Sequence, residues 1–202
     1  MKLTGVKQFA KCMNMSRDNI YSDSSRNLKG LLVYADMVAS TNGHIAKVRL
    51  MDTGIENSIF IPIAEKGTPD EIELVGTTPN KIRNLFGDVR IDETELTIHD
   101  VKGFKRYLKA TKYKFIHVDF EKNQINSYNG SGDVGDIVDM DKFITIDKNL
   151  NQVDGINYQS YLMLIALTNV NTPVKVSFYS NMSSTMWRID EKNFYLLLPM
   201  RH

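Results

Sequence analysis

The chain has 202 residues, enough for one large or two small domains. Its 42% hydrophobic and 24% charged residues are ordinary for a water-soluble globular protein, and the formal net charge is only +1. The longest apolar run, near residues 194–198, is too short to span a bilayer, and the N-terminal residues contain no apolar signal segment. A single cysteine excludes an intramolecular disulfide. These features predict a cytoplasmic protein without a membrane segment.

The first half of the chain predicts a helix, several strands and a second helix. Apolar residues recur at helical spacing over 6–13, and strands are predicted near residues 28–35, 38–50 and 58–63. Two positions are open for the second helix. Thr68-Pro69-Asp70-Glu71 has a capping-box pattern with proline at the first helical position, and Thr78-Pro79 begins a comparable segment that stops at Gly87.

The second half predicts the same order of elements. Asp100 is placed to cap a helix over 101–111. Strands are then predicted near residues 115–119, 124–128, 136–140 and 142–146. A helix from about 157 to 167 precedes the last strands, which are predicted near residues 174–179, 185–189 and 194–198.

Short matches indicate that the two halves are copies of one α+β unit. Val6-Lys7-Gln8-Phe9 recurs as Val101-Lys102-Gly103-Phe104, and Phe60-Ile61-Pro62-Ile63 recurs as Phe143-Ile144-Thr145-Ile146. An Asn-Gly hairpin signal follows a strand in each half, at Asn42-Gly43 and Asn129-Gly130. We place the boundary near Asp92, which predicts domains of residues 1–92 and 93–202.

The helix that begins at Val101 separates apolar from basic residues. One arc holds Val101, Phe104, Tyr107, Leu108 and Thr111, and the opposite arc holds Lys102, Lys105, Arg106, Lys109 and Lys112. Like charges on one face repel each other and destabilise a helix, which favours an anionic partner over a merely solvated face. The first helix repeats the plan with Lys7 and Lys11, and Lys81 and Arg83 are candidate additions. Lysines meet phosphates as point charges, so these faces predict binding of duplex DNA irrespective of its sequence.

The sequence shows no pattern typical of a catalytic or metal site. The four histidines have no metal-ligand spacing with each other or with the cysteine. The acidic series Asp133, Asp136, Asp139 and Asp141 lacks the glutamate that closes a calcium loop. No nucleophile lies beside a plausible base. We therefore predict no catalytic residue, no metal and no cofactor, with an enzyme acting on nucleic acid as a third functional class.

Four segments resemble bacterial DNA polymerase sliding clamps, the β subunit family. They are the ending FYLLLPMRH, the stretch LKGLLVYADMVASTNGHIAKV from Leu28 to Val48, ELTIHDVKGFKRYLKAT from Glu95 to Thr111, and GINYQSYLMLIAL with the strands that follow it. The resemblance implies two tandem clamp domains, each with two helices on antiparallel sheet, and helices that line a ring. Clamps of this family have three such domains per subunit, so two domains per chain imply a homotrimer.

The function implied by the resemblance is to encircle duplex DNA and to tether DNA polymerase and clamp loader through short linear peptides. The peptide groove carried over from the family consists of Leu28, Thr41, Gly43, His44, Leu196, Leu198, Pro199 and Met200. This chain departs from the family motif at three positions, Asn42, Ile45 and Ala46. Brevity and Lys/Asn richness favour a phage or mobile element, hence the host cytoplasm. The alternative is a clamp-like protein that does not close a ring and diverts the host's clamp partners.

Overall fold

A computed structural model describes the chain over residues 2–13, 30–63, 69–74, 94–147, 153–178 and 184–200. Tertiary contacts divide the chain into two units. Unit 1 comprises residues 1–89 with 192–195, and unit 2 comprises residues 90–191 with 196–202. In the part of the chain that is described, no helix is long and apolar enough to cross a membrane.

Unit 1 combines one helix with two antiparallel sheets in its described residues. Its elements are β1 (Lys2–Thr4), α1 (Val6–Met13), β2 (Gly30–Val33), β3 (Met37–Thr41), β4 (Ile45–Leu50), β5 (Ile59–Pro62) and β6 (Glu71–Glu73). Strand β1 pairs with β6. The larger sheet has the order β4-β3-β2-β5, and the first residues of the last strand of the chain, β15 (Asn193–Leu197), lie beside β4.

The core of unit 1 lies between α1 and the larger sheet. Val6 and Phe9 of α1 are fully buried and pack with Leu31 and Val38 of the sheet. The Ser40 hydroxyl donates a hydrogen bond to the carbonyl oxygen of Phe9 at 2.9 Å, which fixes the helix on β3. Successive strand residues point to opposite faces, so Leu31 packs with α1 whereas Leu32 and Ala39 belong to a second buried cluster on the other face.

In its described residues, unit 2 contains two α-helices, a 3₁₀ helix and two antiparallel sheets. Its elements are β7 (Thr94–Ile98), α2 (Val101–Ala110), β8 (Phe115–Asp119), β9 (Gln124–Tyr128), β10 (Val134–Asp139), a 3₁₀ helix (Met140–Lys142), β11 (Ile144–Ile146), β12 (Gly155–Gln159), α3 (Ser160–Ala166), β13 (Val174–Phe178) and β14 (Thr185–Arg188). One sheet has the order β10-β9-β8-β12, and the other contains β11-β7-β13-β14.

Unit 2 is itself an internal duplication. The succession β7-α2-β8-β9-β10 is followed by β12-α3-β13-β14-β15, each a strand, a helix and three strands. The first strand of each copy pairs with the second strand of the other, since β7 pairs with β13 and β12 pairs with β8. The two copies therefore complete each other's sheets. This smaller repeat was not predicted, because the sequence matches relate the two halves of the chain rather than the two halves of one unit.

The predicted helix starting at Thr68-Pro69 is wrong, because residues 71–73 form strand β6. Ile72 lies opposite Leu3 and packs on the core, while Glu71 and Glu73 are exposed. This alternation favours a strand, and pairing with β1 overrides the local capping signal. The alternative start at Thr78-Pro79 lies outside the described residues.

Of the other predicted elements, some are confirmed, one begins later than predicted, and one proposed match is wrong. Strands β8 and β9 have the predicted bounds, and both helices with the Val-Lys-x-Phe match begin at their valine. The helix predicted from 157 begins at Ser160, because residues 155–159 form β12. The match of residues 60–63 with 143–146 is wrong as a structural equivalence. Strand β5 pairs with β2, whereas β11 pairs with β7, the strand before the helix.

Candidate nucleic-acid and peptide interfaces

The N-terminus of α2 is capped as predicted. The Asp100 carboxylate accepts a hydrogen bond from the Gly103 backbone N–H at 2.8 Å. A Cβ at position 103 would collide with this carboxylate, so glycine leaves room for the cap. The cap satisfies one of the free N–H groups at the start of the helix and fixes its direction on the sheet.

The apolar arc of α2 lies on the core of unit 2. Val101, Phe104 and Leu108 are buried. The rings of Phe104 and Tyr107 pack against Phe143, with centroids 5.6 and 5.8 Å from that ring. Burial, together with the nearby Asp136 charge, raises the pKa of Tyr107 to about 12. The helix is thus held by its apolar side, and the opposite side is left for other contacts.

Four of the five predicted basic side chains on α2 and its C-terminal end are exposed. They are Lys102, Arg106, Lys109 and Lys112. Lys105 differs, because it is half-buried and its ammonium donates a hydrogen bond to the Val170 carbonyl at 2.6 Å. The expectation that all five project away from the protein is therefore wrong for Lys105, which instead joins α2 to the turn after α3. The four exposed residues are hereafter the α2 basic face.

Helix α1 presents Lys7 and Lys11 to solvent, as the wheel predicts. Its N-terminus is capped by Asp70, whose carboxylate accepts from the Lys7 N–H at 2.9 Å and whose carbonyl accepts from the Val6 N–H at 3.1 Å. The sequence pattern places Asp70 at the start of a separate helix. Its role as a cap has no local signal, because it lies 63 residues along the chain from the N–H group that it binds. Lys81 and Arg83 lie outside the described residues.

The basic residues of β4, Lys47 and Arg49, make contacts within unit 1, in contrast to the exposed α2 basic face. Lys47 is 2% exposed, and its ammonium lies 4.5 Å from the ring centroid of Tyr195 and 5.5 Å from that of Phe9. The Arg49 guanidinium donates to the Thr4 carbonyl at 2.6 Å and to the Asn193 side-chain oxygen at 3.0 Å. These cations stabilise unit 1 through aromatic and hydrogen-bond contacts.

The β3–β4 hairpin holds three residues of the predicted groove. The Asn42 side-chain oxygen accepts from the N–H groups of His44 at 2.9 Å and Ile45 at 3.0 Å. The Thr41 hydroxyl accepts from the Gly43 N–H at 3.0 Å, and Gly43 has φ +87°, which glycine adopts without strain. The predicted Asn-Gly turn is confirmed, and Gly43 and His44 are exposed at its tip.

The second Asn-Gly turn is also confirmed, although a different glycine makes the left-handed bend. The Asn129 side-chain oxygen accepts from the N–H groups of Ser131 at 3.0 Å and Asp133 at 2.9 Å. Gly132, with φ +86°, is the residue in the left-handed region rather than Gly130.

The C-terminal groove residues lie at the end of strand β15 and directly after it. Leu196 is half-buried and Leu198 is 44% exposed, while Leu197 between them is fully buried. Pro199 and Met200 are half-buried, and the Met200 N–H donates to the Asn157 carbonyl at 2.8 Å. Leu28 lies outside the described residues. A groove formed jointly by these residues and the β3–β4 hairpin therefore stays a prediction.

A polar cluster on the outer face of the β10-β9-β8-β12 sheet was missed by sequence reasoning. The Asn157 side-chain oxygen accepts from the Tyr128 hydroxyl at 3.1 Å and lies 2.9 Å from His117 Nδ1. Asn157 is paired with His117 across β12 and β8, and Tyr128 of β9 is paired with Phe115, two positions along the same sheet face. Burial raises the pKa of Tyr128. Their separation along the chain gives no motif by which the cluster could be predicted.

The acidic residues between 133 and 141 make structural contacts. Asp133 accepts from the Asn129 side-chain amide at 2.8 Å, Asp139 lies 3.7 Å from the Lys142 ammonium, and Asp141 accepts from the Asn123 amide at 2.8 Å. Within the described ranges, no three His, Cys, Asp or Glu side chains are grouped in a way that would hold a metal ion.

The fold built from these elements is that of bacterial DNA polymerase sliding clamps. Three solved structures illustrate the similarity. The DNA polymerase III subunit beta from Pseudomonas aeruginosa matches with a TM-score of 0.66 and 14% identity, over 100% of this chain and 66% of that chain. The sliding clamp of the same organism bound to griselimycin matches with a TM-score of 0.67 and 16% identity, over 100% of this chain and 65% of that one. The Bacillus subtilis clamp gives 0.66 and 16%, over 100% and 64%.

The similarity is carried by structure. No family model matches the chain, and no curated protein sequence matches it. The chain spans about two thirds of the length of the clamps that it matches, 66% in the case of the Pseudomonas aeruginosa subunit.

Proposed function

We propose that the protein is a DNA sliding clamp, a non-enzymatic processivity factor that encircles duplex DNA and tethers replication proteins. The observation that carries the proposal is the α2 basic face on a sliding-clamp fold. Three exposed cations on one short helix and a fourth, Lys112, just after its end, with no acidic residue within the helix, suit the phosphates of a duplex. Phosphate contacts position a protein on DNA without reading its sequence, as a clamp that slides requires.

The proposed assembly is a homotrimeric ring. Two domains, residues 1–92 and 93–202, would fit the 66% coverage of the matched clamp, because the family resemblance implies three domains per clamp subunit. Three copies of a two-domain chain then supply six domains, related head to tail around a threefold axis. In this arrangement Lys7 and Lys11 of α1 and the α2 basic face would contact the DNA, and Lys105 supports the α2 end from within unit 2.

The proposed partners are duplex DNA, DNA polymerase and clamp loader, the proteins being bound through short apolar peptides. The groove would combine Leu28, Thr41, Gly43 and His44 with Leu196, Leu198, Pro199 and Met200. The exposed Leu198 and the exposed hairpin tip are the described features that support it. We propose that the protein is encoded by a phage and acts in the cytoplasm of the host.

The test removes three charges from the α2 basic face by changing Lys102, Arg106 and Lys109 to Ala. We expect weaker DNA association and a plot of log K against log salt whose slope is shallower by about 2 to 3, because fewer counterions are released. A matched control changes three cations of unit 2 outside α2 to Ala, namely Lys114, Lys142 and Lys175. The control therefore has the same net charge as the α2 variant. Fluorescence anisotropy of a labelled duplex in a salt series provides the measurement. An equal slope change in both variants would show that only net charge matters and would refute the proposal.

A further inference from the structure

Strand β10 contains a bulge where it pairs with β9. Val134 lies opposite Tyr128 and Ile137 lies opposite Asn126, so three steps along β10 match two steps along β9. An extra residue of this kind bends the strand and turns the neighbouring side chains in a new direction. The bulge therefore decides where residues 135 and 136 point.

Contacts within unit 2 hold the bulge in place. The Asp136 N–H donates to the hydroxyl oxygen of Ser127, a fully buried residue, at 3.0 Å. A Cβ at Gly135 would lie 2.6 Å from that oxygen and 2.7 Å from Cδ2 of the Tyr113 ring, so this position requires a residue without a side chain. The centroid of the Tyr113 ring in turn lies 5.0 Å from the Lys112 ammonium. The bulge thus packs on the residues that directly follow α2.

The bulge brings the Asp136 carboxylate to the C-terminal end of α2. One of its oxygens accepts from the Lys112 backbone N–H at 3.5 Å. Its charge reaches into the helix, since it adds to the larger effect of burial in raising the pKa of Tyr107 to about 12. The C-terminus of a helix carries a partial negative charge, so a carboxylate placed there opposes helix stability. Stability of α2 therefore does not account for the position of Asp136.

The position of Asp136 bears on the α2 basic face instead. Lys112 is a member of that face, and Lys112 and Asp136 are both exposed. The Lys112 ammonium lies over the Tyr113 ring, while the Asp136 carboxylate lies beside the Lys112 backbone. A phosphate that approaches the Lys112 ammonium would therefore also approach a fixed negative charge, and like charges repel.

We propose that Asp136 limits the affinity of the protein for duplex DNA by repelling phosphates from the Lys112 end of the α2 basic face. The inference rests on the proposed function and adds to it a residue that opposes the DNA contact. A protein that slides benefits from such a residue, because a phosphate contact must break before the protein can move along the duplex. The bulge at Gly135 is the structural feature that holds the opposing charge in place.

The experiment compares duplex binding by the parent and by variants that keep the shape of the carboxyl side chain. Asp136→Asn removes the charge and retains an oxygen that can accept the Lys112 N–H. Asp139→Asn is the matched control, because Asp139 is exposed on the same strand, and its carboxylate lies 3.7 Å from the ammonium of Lys142, which is not part of the α2 basic face. Both changes are also made in a Lys112→Ala background. Fluorescence anisotropy of a labelled duplex in a salt series gives the affinities, and urea unfolding shows that each variant is folded.

We expect Asp136→Asn to bind the duplex about threefold more tightly than the parent at low salt, the size expected when one like charge near a phosphate is removed. The gain should shrink as salt is added, because the Debye length falls from about 10 Å at 0.1 M to about 3 Å at 1 M. In the Lys112→Ala background the same change should bring no gain, since the phosphate contact beside Asp136 is already lost. Asp139→Asn should bind like the parent.

Three results would overturn the inference while leaving the proposed function intact. In a parent that binds DNA, Asp136→Asn could bring no gain, which would leave the bulge with a structural role alone. Equal gains for Asp136→Asn and Asp139→Asn would mean that only net charge matters, and equal gains with and without Lys112 would mean that Asp136 does not act at that cation. A parent that binds no duplex at any salt concentration would instead refute the proposed function, and the role of Asp136 would fall with it.

Discussion

Thr185 shows how one hydroxyl group stabilises the interior of unit 2. Its oxygen accepts from the Tyr158 hydroxyl at 2.9 Å and from the Trp187 indole N–H at 3.0 Å, and it donates to the Leu197 carbonyl at 3.3 Å. All of these groups are buried, and burial raises the pKa of Tyr158. The beginning of β14 is thereby joined to β12 and to the end of β15 through a single atom.

We expect Thr185→Val to lower the free energy of unfolding by about 2 to 4 kcal/mol, because two buried donors lose their acceptor and the shape is unchanged. Urea denaturation followed by Trp187 fluorescence measures the loss. Thr185→Ser keeps the hydroxyl and should cost about 1 kcal/mol through the lost methyl group. Equal costs for valine and serine would show that packing, rather than the hydroxyl, matters at this position.

The carboxyl group of Asp119 makes the stability of the folded protein depend on pH. Its carboxylate accepts from the Lys122 N–H at 2.9 Å and from the Lys122 ammonium at 3.0 Å. Burial favours the neutral acid, but these two hydrogen bonds and the charges of Lys122 and His117 outweigh it, so the pKa of Asp119 is lowered in the folded protein. A lowered pKa means that the folded state favours the ionised form. The contribution is therefore fully present above the unfolded pKa of about 3.9 and is lost as pH falls through the lower folded value.

Asp119→Asn should therefore destabilise the protein by about 1 kcal/mol or more at pH 7, through loss of a charge-assisted hydrogen bond. The difference between parent and variant should persist at pH 5 and should shrink as pH falls below about 4. Urea midpoints measured at several pH values check this. A difference that persists undiminished in strong acid would mean that the charge of Asp119 contributes nothing.

At the scale of elements, the N-terminus of α2 makes the effects of substitutions at positions 100 and 103 on stability depend on each other. In an ordinary helix interior, Gly→Ala stabilises by about 1 kcal/mol. Here a Cβ at Gly103 meets the Asp100 carboxylate that caps the helix. The gain in helix propensity is offset by displacement of the cap.

A double-mutant cycle makes this coupling measurable. Asp100→Ala alone should cost about 1 kcal/mol. Gly103→Ala alone should be neutral or destabilising, but in the Asp100→Ala background it should stabilise by about 0.5 to 1 kcal/mol, since the collision is gone. Urea unfolding of the four proteins checks the cycle. Additive effects would mean that the carboxylate moves aside without cost.

The elements that could be predicted from the sequence are those with a complete local signal. The cap at Asp100 and the alternation of β8 and β9 are local, and the structure has them where the pattern indicates. Strand β6 could not be predicted, because it exists through pairing with β1 almost seventy residues earlier. The start of α3 was misplaced because an apolar run fits a helix and a buried strand equally well until β8 pairs with residues 155–159.

The candidate site divides in the same way. A helix wheel found the α2 basic face, since that face is a property of one element. The same wheel could not find the half-buried Lys105, whose Val170 partner lies 65 residues further on. The His117–Tyr128–Asn157 cluster needs three strands in register, and no spacing along the chain encodes it.

For the whole molecule, the distribution of positive charge bears on how DNA would be held. Helix α3, with the sequence SYLMLIA, contains no basic residue, so among the described α-helices of unit 2 the exposed cations belong to α2 and its end. A single chain would therefore offer the duplex few helical contacts. Threefold repetition of the α1 and α2 cations is what would surround a duplex with positive charge and compensate for a neutral α3.

The corresponding prediction is a homotrimer in solution, with a mass three times the 23.1 kDa of the chain. Head-to-tail contacts close only if the rotation between copies is a third of a turn, so dimers and tetramers should not accumulate as closed species. Sedimentation equilibrium over a range of micromolar concentrations measures the mass. The trimer mass should be unchanged by the three-alanine variant of α2, because those side chains are proposed to face DNA rather than a neighbouring copy.

Two results would contradict the ring. A closed dimer would mean that each chain contributes three of the six domains of the ring rather than two. A monomer at all concentrations would favour the non-ring alternative, in which the groove binds clamp partners without any topological hold on DNA. The DNA measurements separate these cases further, since a ring threaded by a circular plasmid should be released when the plasmid is linearised. A protein that merely adheres through the α2 basic face should be retained equally by circular and linear DNA at the same salt concentration, because adhesion depends on phosphate contacts and not on DNA ends.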